Sequence, residues 1–126
     1  GKPESDGAMI RCIYESLALK YRYAIEQLSA VTGRAFTTLH VLGGGTKDRL
    51  LCQMTADCCG LTVKAGPVEA TALGNIMIQL KALGLLDSIT QGRRLIAETE
   101  VIKTYTPSTQ NYAEWNAAYD RFKTLL

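Results

Sequence analysis

Thr37-Thr38-Leu39-His40-Val41-Leu42-Gly43-Gly44-Gly45-Thr46-Lys47-Asp48 is the stretch from which the rest of the chain can be read. Its β-branched and aliphatic residues predict a β-strand. Three glycines follow without a break, and residues without Cβ let backbone approach a bound group closely and take φ > 0. Thr46 then stands where it can cap a helix. A strand, glycine turn and helix in direct succession aim free N–H groups and the positive end of a helix dipole at one spot, which suits a phosphate or another anion. Gly43, Gly44 and Gly45 therefore read as a nucleotide floor or as a tight turn that only lets strand and helix pack. Neither standard phosphate motif decides between them. The P-loop G-x-x-x-x-G-K-[ST] fails because Lys47 follows a continuous triplet, and G-x-G-x-x-G fails because Asp48 stands at its third glycine.

Working outward, the residues before this stretch predict a long helix. Ser5 or Asp6 can cap it, and Ile10, Ile13, Tyr14, Leu17, Tyr21, Ala24, Ile25, Leu28 and Val31 recur at spacings of three and four. Gly33 ends it. On the other side a second helix is expected over residues 46–59, with Leu50, Leu51, Met54, Cys58 and Cys52 inward. Residues 61–65 follow as a strand, and a strand–helix–strand unit of this length implies a parallel pair. Ligands in such sheets sit beyond the carboxyl ends of the strands, so residues 43–47 and 66–69 are expected on one rim.

A third helix is expected from Glu69 to Gly84, with Glu69 favoured in its first turn by the helix dipole and Gly74 permitting a close contact. A shorter helix over residues 89–99 precedes a last one. Tyr112, Trp115, Tyr119 and Phe122 form an aromatic stripe on that last helix, read as packing. His40, the only histidine, reads as a core residue of an apolar strand.

Composition bounds the class. The chain has 126 residues, 47% hydrophobic and 21% charged, which is ordinary for one globular domain. A net charge of +2 without a basic stripe points away from nucleic acid. No run of about 18 apolar residues suggests a membrane span, and residues 1–7 lack the apolar core of a signal peptide, so a cytoplasmic location is expected. Cys12, Cys52, Cys58 and Cys59 form no C-x-x-C pair. They read as reduced thiols, with Cys52 and Cys59 buried on one side of the second helix. No metal site and no Ser/His/Asp or Cys/His catalytic arrangement can be assembled.

Three runs carry a family resemblance: Glu15-Ser16-Leu17-Ala18-Leu19-Lys20-Tyr21, Leu39-His40-Val41-Leu42-Gly43-Gly44-Gly45-Thr46-Lys47, and Ala65-Gly66-Pro67-Val68-Glu69-Ala70-Thr71-Ala72-Leu73-Gly74-Asn75. Together they resemble the carboxyl-terminal part of the FGGY carbohydrate kinases over nearly the whole chain, loosening after about Leu86. The last run resembles the branch of that family acting on L-rhamnulose.

The resemblance implies an α/β fold: part of an actin-like (ribonuclease H-like) ATPase domain, with a short parallel sheet flanked by helices. Residues 1–126 would be the carboxyl-terminal portion of the second, nucleotide-binding domain of a two-domain kinase. Such a kinase transfers the ATP γ-phosphate to the 1-hydroxyl of L-rhamnulose with Mg²⁺. It also implies that the catalytic aspartate and the sugar-binding residues lie in earlier polypeptide, so that this piece alone is inactive. The family's adenosine motif falls on Gly43, Gly44 and Gly45. The position four beyond Gly44, commonly asparagine, is Asp48 here, and an ionised carboxylate accepts but cannot donate. Missing sheet neighbours would leave edges and apolar faces exposed, so self-association is expected. Two alternatives stay open: the ATP lobe of another FGGY kinase, for xylulose or glycerol, and a stand-alone nucleotide- or partner-binding module.

Overall fold

In the computed structural model, which describes residues 3–126, the chain folds as five α-helices around a three-stranded sheet. Gly1 and Lys2 of the amino-terminal stretch lie outside the described residues. Helix α1 runs Asp6–Thr32, capped by the Ser5 hydroxyl, which accepts from the Ala8 N–H at 3.2 Å, and closed by Gly33 in the left-handed conformation. Strand β1 (Thr38–Val41) leads into a 3-10 turn (Gly43–Lys47), then α2 (Arg49–Cys59) and β2 (Thr62–Ala65). Helices α3 (Ala70–Ala82) and α4 (Ile89–Thr99), strand β3 (Lys103–Tyr105) and α5 (Tyr112–Lys123) complete the order.

The sheet order is β1-β2-β3. As expected, β1 and β2 pair parallel, with Leu39 opposite Val63 and His40 opposite Lys64. The sheet is nevertheless mixed, because β3 pairs antiparallel to β2, with Thr104 opposite Lys64. This strand is three residues long, and pairing rather than periodicity defines it.

Two apolar clusters hold α1, α2 and α5 to one face of the sheet. Cys52 and Ala56 of α2 pack on Val63 and Ala65, with Leu39, Val41 and Tyr105 against them. Ala18 and Leu19 of α1, Met54 and Cys58 of α2 and Tyr119 of α5 form the second cluster. A polar clasp ties the same three helices together. Tyr119 Oη donates to Glu26 Oε2 at 2.6 Å, Arg22 donates to Glu26 at 3.0 Å, to Asn116 Oδ1 at 2.8 Å and to the Cys58 carbonyl of α2 at 3.3 Å, and the guanidinium lies over the Tyr119 ring. Burial and the Glu26 acceptor push the Tyr119 hydroxyl well above its ordinary value.

Several expectations change once tertiary contacts are seen. Most of the apolar stripe of α1 does not face the core: Tyr14 packs against it, but Ile10, Ile13 and Leu28 are about half exposed and Val31 is 85% exposed. The core takes the neighbouring residues Ala18 and Leu19 instead, and the stripe borders the open flank beside β1. On α2, Leu50 is exposed, and the buried thiols are Cys52 and Cys58, while Cys59 is half-buried. His40 is exposed, not a core residue, because strand alternation sends it to the face opposite Leu39 and Val41. Tyr112 is exposed, whereas Trp115, Tyr119 and Phe122 pack as expected. Gly74 has open space where a Cβ would stand. The glycine that permits close contact is Gly92 of α4, buried against Met77 and Leu86.

Candidate functional site

The carboxyl ends of the two parallel strands meet at one rim. Gly43 N–H donates to Pro67 O at 3.2 Å and Gly66 N–H to Val41 O at 2.9 Å, so residues 43–47 and 66–69 share an edge as expected. Gly43 has φ +78, a left-handed conformation that a side chain rarely takes. Gly66 has φ +134, and a Cβ there would stand 2.8 Å from the Val101 carbonyl oxygen. Both positions need glycine for structural reasons.

Gly44 and Gly45 need it for neither reason. Both are exposed, and a Cβ on Gly44 would meet nothing within 4 Å. No backbone acceptor pairs with the Gly44 or Gly45 N–H among the described residues. These two glycines form a bare backbone floor that opens outward.

The helix after the floor is arranged differently from the expectation. Thr46 does not cap it: its hydroxyl donates to Gly43 O at 2.7 Å and closes the 3-10 turn. Helix α2 starts three residues later and Asp48 is its cap, accepting from the Leu51 N–H at 3.0 Å. The other carboxylate oxygen accepts from the Tyr14 hydroxyl of α1. The Leu51 N–H, and then Tyr14, hold the Asp48 carboxyl below the usual carboxylate range; the same hydrogen bond pushes the Tyr14 hydroxyl up. A carboxylate already occupies the positive end of the α2 dipole. The rim therefore suits an uncharged ribose or base better than the phosphate the dipole argument suggested.

Tyr14 is the site residue the sequence reading missed, having been placed only in the apolar stripe. A tyrosine within a stripe carries a hydroxyl that needs a partner when it is covered, which was the available signal. Glu69 stands at the cap position of α3 rather than inside its first turn, and its side chain makes no cap hydrogen bond.

Comparison with known proteins gives the family. Residues 1–83 match the family described as "FGGY family of carbohydrate kinases, C-terminal domain". The chain is 49% identical over 124 residues to a rhamnulokinase from Bacteroides thetaiotaomicron, covering 98% of this chain and 25% of that protein. It is 44% identical over 106 residues to a rhamnulokinase from Klebsiella pneumoniae subsp. pneumoniae, covering 84% of this chain and 22% of that protein. It thus spans about a quarter of the length of these relatives. The crystal structure of xylulose kinase from Rhodospirillum rubrum superposes with a TM-score of 0.72 at 22% identity, over 99% of this chain and 25% of that one. That likeness shows that the chain shares the fold of the matching quarter of that kinase. The chain belongs to the FGGY family of carbohydrate kinases, matching its C-terminal domain.

Proposed function

We propose that this chain is the carboxyl-terminal portion of the nucleotide-binding domain of a sugar kinase that phosphorylates L-rhamnulose at its 1-hydroxyl with ATP and Mg²⁺. The observation that carries the reading is the open floor of Gly44 and Gly45 beside the residue 66–69 turn, in a chain whose relatives are rhamnulokinases. Gly43 sets the turn, Gly44 and Gly45 lie under the adenosine, and Asp48 closes the adenine end as an acceptor. Asp48 Oδ1 and Oδ2 already take Leu51 N–H and Tyr14 Oη, so the adenine amino group would share a carboxylate oxygen rather than find a free one.

Phosphoryl transfer depends mostly on holding nucleotide and acceptor in line, and the rigid strand and turn supply one fixed end. ATP would supply the phosphoryl group. Mg²⁺ would accompany the ATP phosphates. The catalytic base and sugar site belong to polypeptide other than this chain, and the 126 residues alone are inactive. The same reading places the protein in the cytoplasm, beside ATP; among the described residues no helix is long and apolar enough to cross a membrane.

Gly44→Val in the intact protein tests the site. Its open surroundings let the variant fold, and ATP affinity by calorimetry is expected to fall tenfold or more. Unchanged affinity would remove Gly44 from the site. ADP release with L-rhamnulose, D-xylulose and glycerol as acceptors tests the substrate: turnover confined to D-xylulose or glycerol would assign another member of the family, and no turnover in the intact protein would favour a non-catalytic binding module.

A further inference from the structure

The face of the sheet turned away from α1 and α2 carries chemistry that the ATP reading does not use. Strand alternation places His40, Lys64 and Thr104 on this face, and register sets them side by side, His40 against Lys64 and Lys64 against Thr104. Neighbouring strands lie about 4.8 Å apart, so the row is about 10 Å wide. Arg93 of α4 also borders it, and the four line one cavity of about 770 Å³ together with the apolar side chains of Ile96 and Ile102.

The charge balance of this cavity is one-sided. No carboxylate among the described residues lines it. None of His40, Lys64, Arg93 and Thr104 makes an ion pair or side-chain hydrogen bond among the described residues. The chain's other ion pairs join neighbouring turns of α1 and of α5. Two permanent cations, a histidine and a hydroxyl facing one concave space without an acid form a donor set for a dianion. A guanidinium and an ammonium held at different points suit a phosphate better than a single carboxylate. The Ile96 and Ile102 wall offers apolar surface to whatever the phosphate is attached to.

We propose that this cavity is a second binding site, for a small organic phosphate whose phosphoryl group is held by Lys64, Arg93 and Thr104 beside His40, and whose apolar or ring-bearing body lies on Ile96 and Ile102. The site borders the adenosine rim, sharing Leu42, Gly66 and Pro67 with it, but it lies on the opposite face of the sheet from Cys52 and α2, and none of Gly44, Gly45 and Asp48 lines it.

Calorimetry on the intact protein tests it with phenyl phosphate, inorganic phosphate and benzoate as probes, and with ATP titrated separately. Phenyl phosphate is expected to bind more tightly than the other two and to weaken several-fold when salt is raised, because the cations are exposed. The double variant Lys64→Gln/Arg93→Gln should weaken phenyl phosphate tenfold or more with unchanged ATP affinity and melting temperature, whereas Gly44→Val should leave phenyl phosphate unchanged. No phenyl phosphate binding, equal affinity in the double variant, or benzoate matching phenyl phosphate would each overturn the proposal. Loss in Gly44→Val would show that the probe sits in the adenosine site instead, and overturn it too.

Discussion

Replacing Asp48 separates its structural work from any work on a ligand. In Asp48→Ala the Leu51 N–H loses its acceptor and the Tyr14 hydroxyl loses its partner. Loss of an Asp cap costs about 1 kcal/mol, within a range of roughly 0.5–2. For a chain of this size that lowers the melting temperature by about 4 °C. Asn caps about as well as Asp, so Asp48→Asn should melt within about 1–2 °C of the parent, and Tyr14→Phe should fall between the two variants. The assay is thermal unfolding followed by far-ultraviolet circular dichroism. Equal melting of Asp48→Ala and the parent, or equal loss in the Asn and Ala variants, would refute the assignment of the cap.

The sign of its pH dependence follows from the direction of the shift. The folded carboxyl titrates below its unfolded value near 4, so its contribution is present above about pH 4 and lost as pH falls through the folded value. The melting gap between the parent and Asp48→Ala should therefore narrow on acidification below pH 4. Tyr14 acts in the other direction. Its hydroxyl titrates above the usual value near 10, so the pair weakens only as pH rises through that raised value. A gap that stayed constant from pH 7 to pH 3 would show that the carboxylate charge contributes nothing.

Three further outcomes are expected. The exposed stripe of α1, with Ile13 and Leu28 about half open and β1 at a free sheet edge, should make the 126-residue chain self-associate at high concentration; Ile13→Lys/Leu28→Lys should lower the mass seen by light scattering, and a strictly monomeric parent would count against it. A thiol reagent on the folded chain should modify Cys12 and Cys59 first: Cys12 is exposed, and Cys59 is half-buried with its thiol held down by its neighbour Cys58. Cys52, pushed up by burial, and Cys58, pushed up by Cys59 and burial, should react only on unfolding, and four equal rates would refute this. Gly92→Val should open the α3–α4 contact, read as lower melting without change in ATP affinity, because its Cβ would overlap Met77.

Local rules were enough for much of this protein. The caps at Ser5 and Gly33, the extent of α4, the parallel pairing of β1 with β2 and the shared rim at residues 43–47 and 66–69 all follow from residue types and spacings within a few turns of each other. Motif resemblance added the family, since runs such as Ala65-Gly66-Pro67-Val68-Glu69 carry information that periodicity does not. What spacing left open was which side of an element is covered. The α1 stripe has helical period whether or not anything packs on it, and His40 sits in an apolar run although alternation turns it outward. Partners far apart in the chain decided the rest: Tyr14 reaching Asp48, Tyr119 reaching Glu26, Thr104 drawn beside Lys64, and Asp48 rather than Thr46 opening α2. A sequence states the order and period of its side chains, but a hydroxyl chooses its acceptor and a strand its neighbour only when the folded backbone sets them within about 3–5 Å.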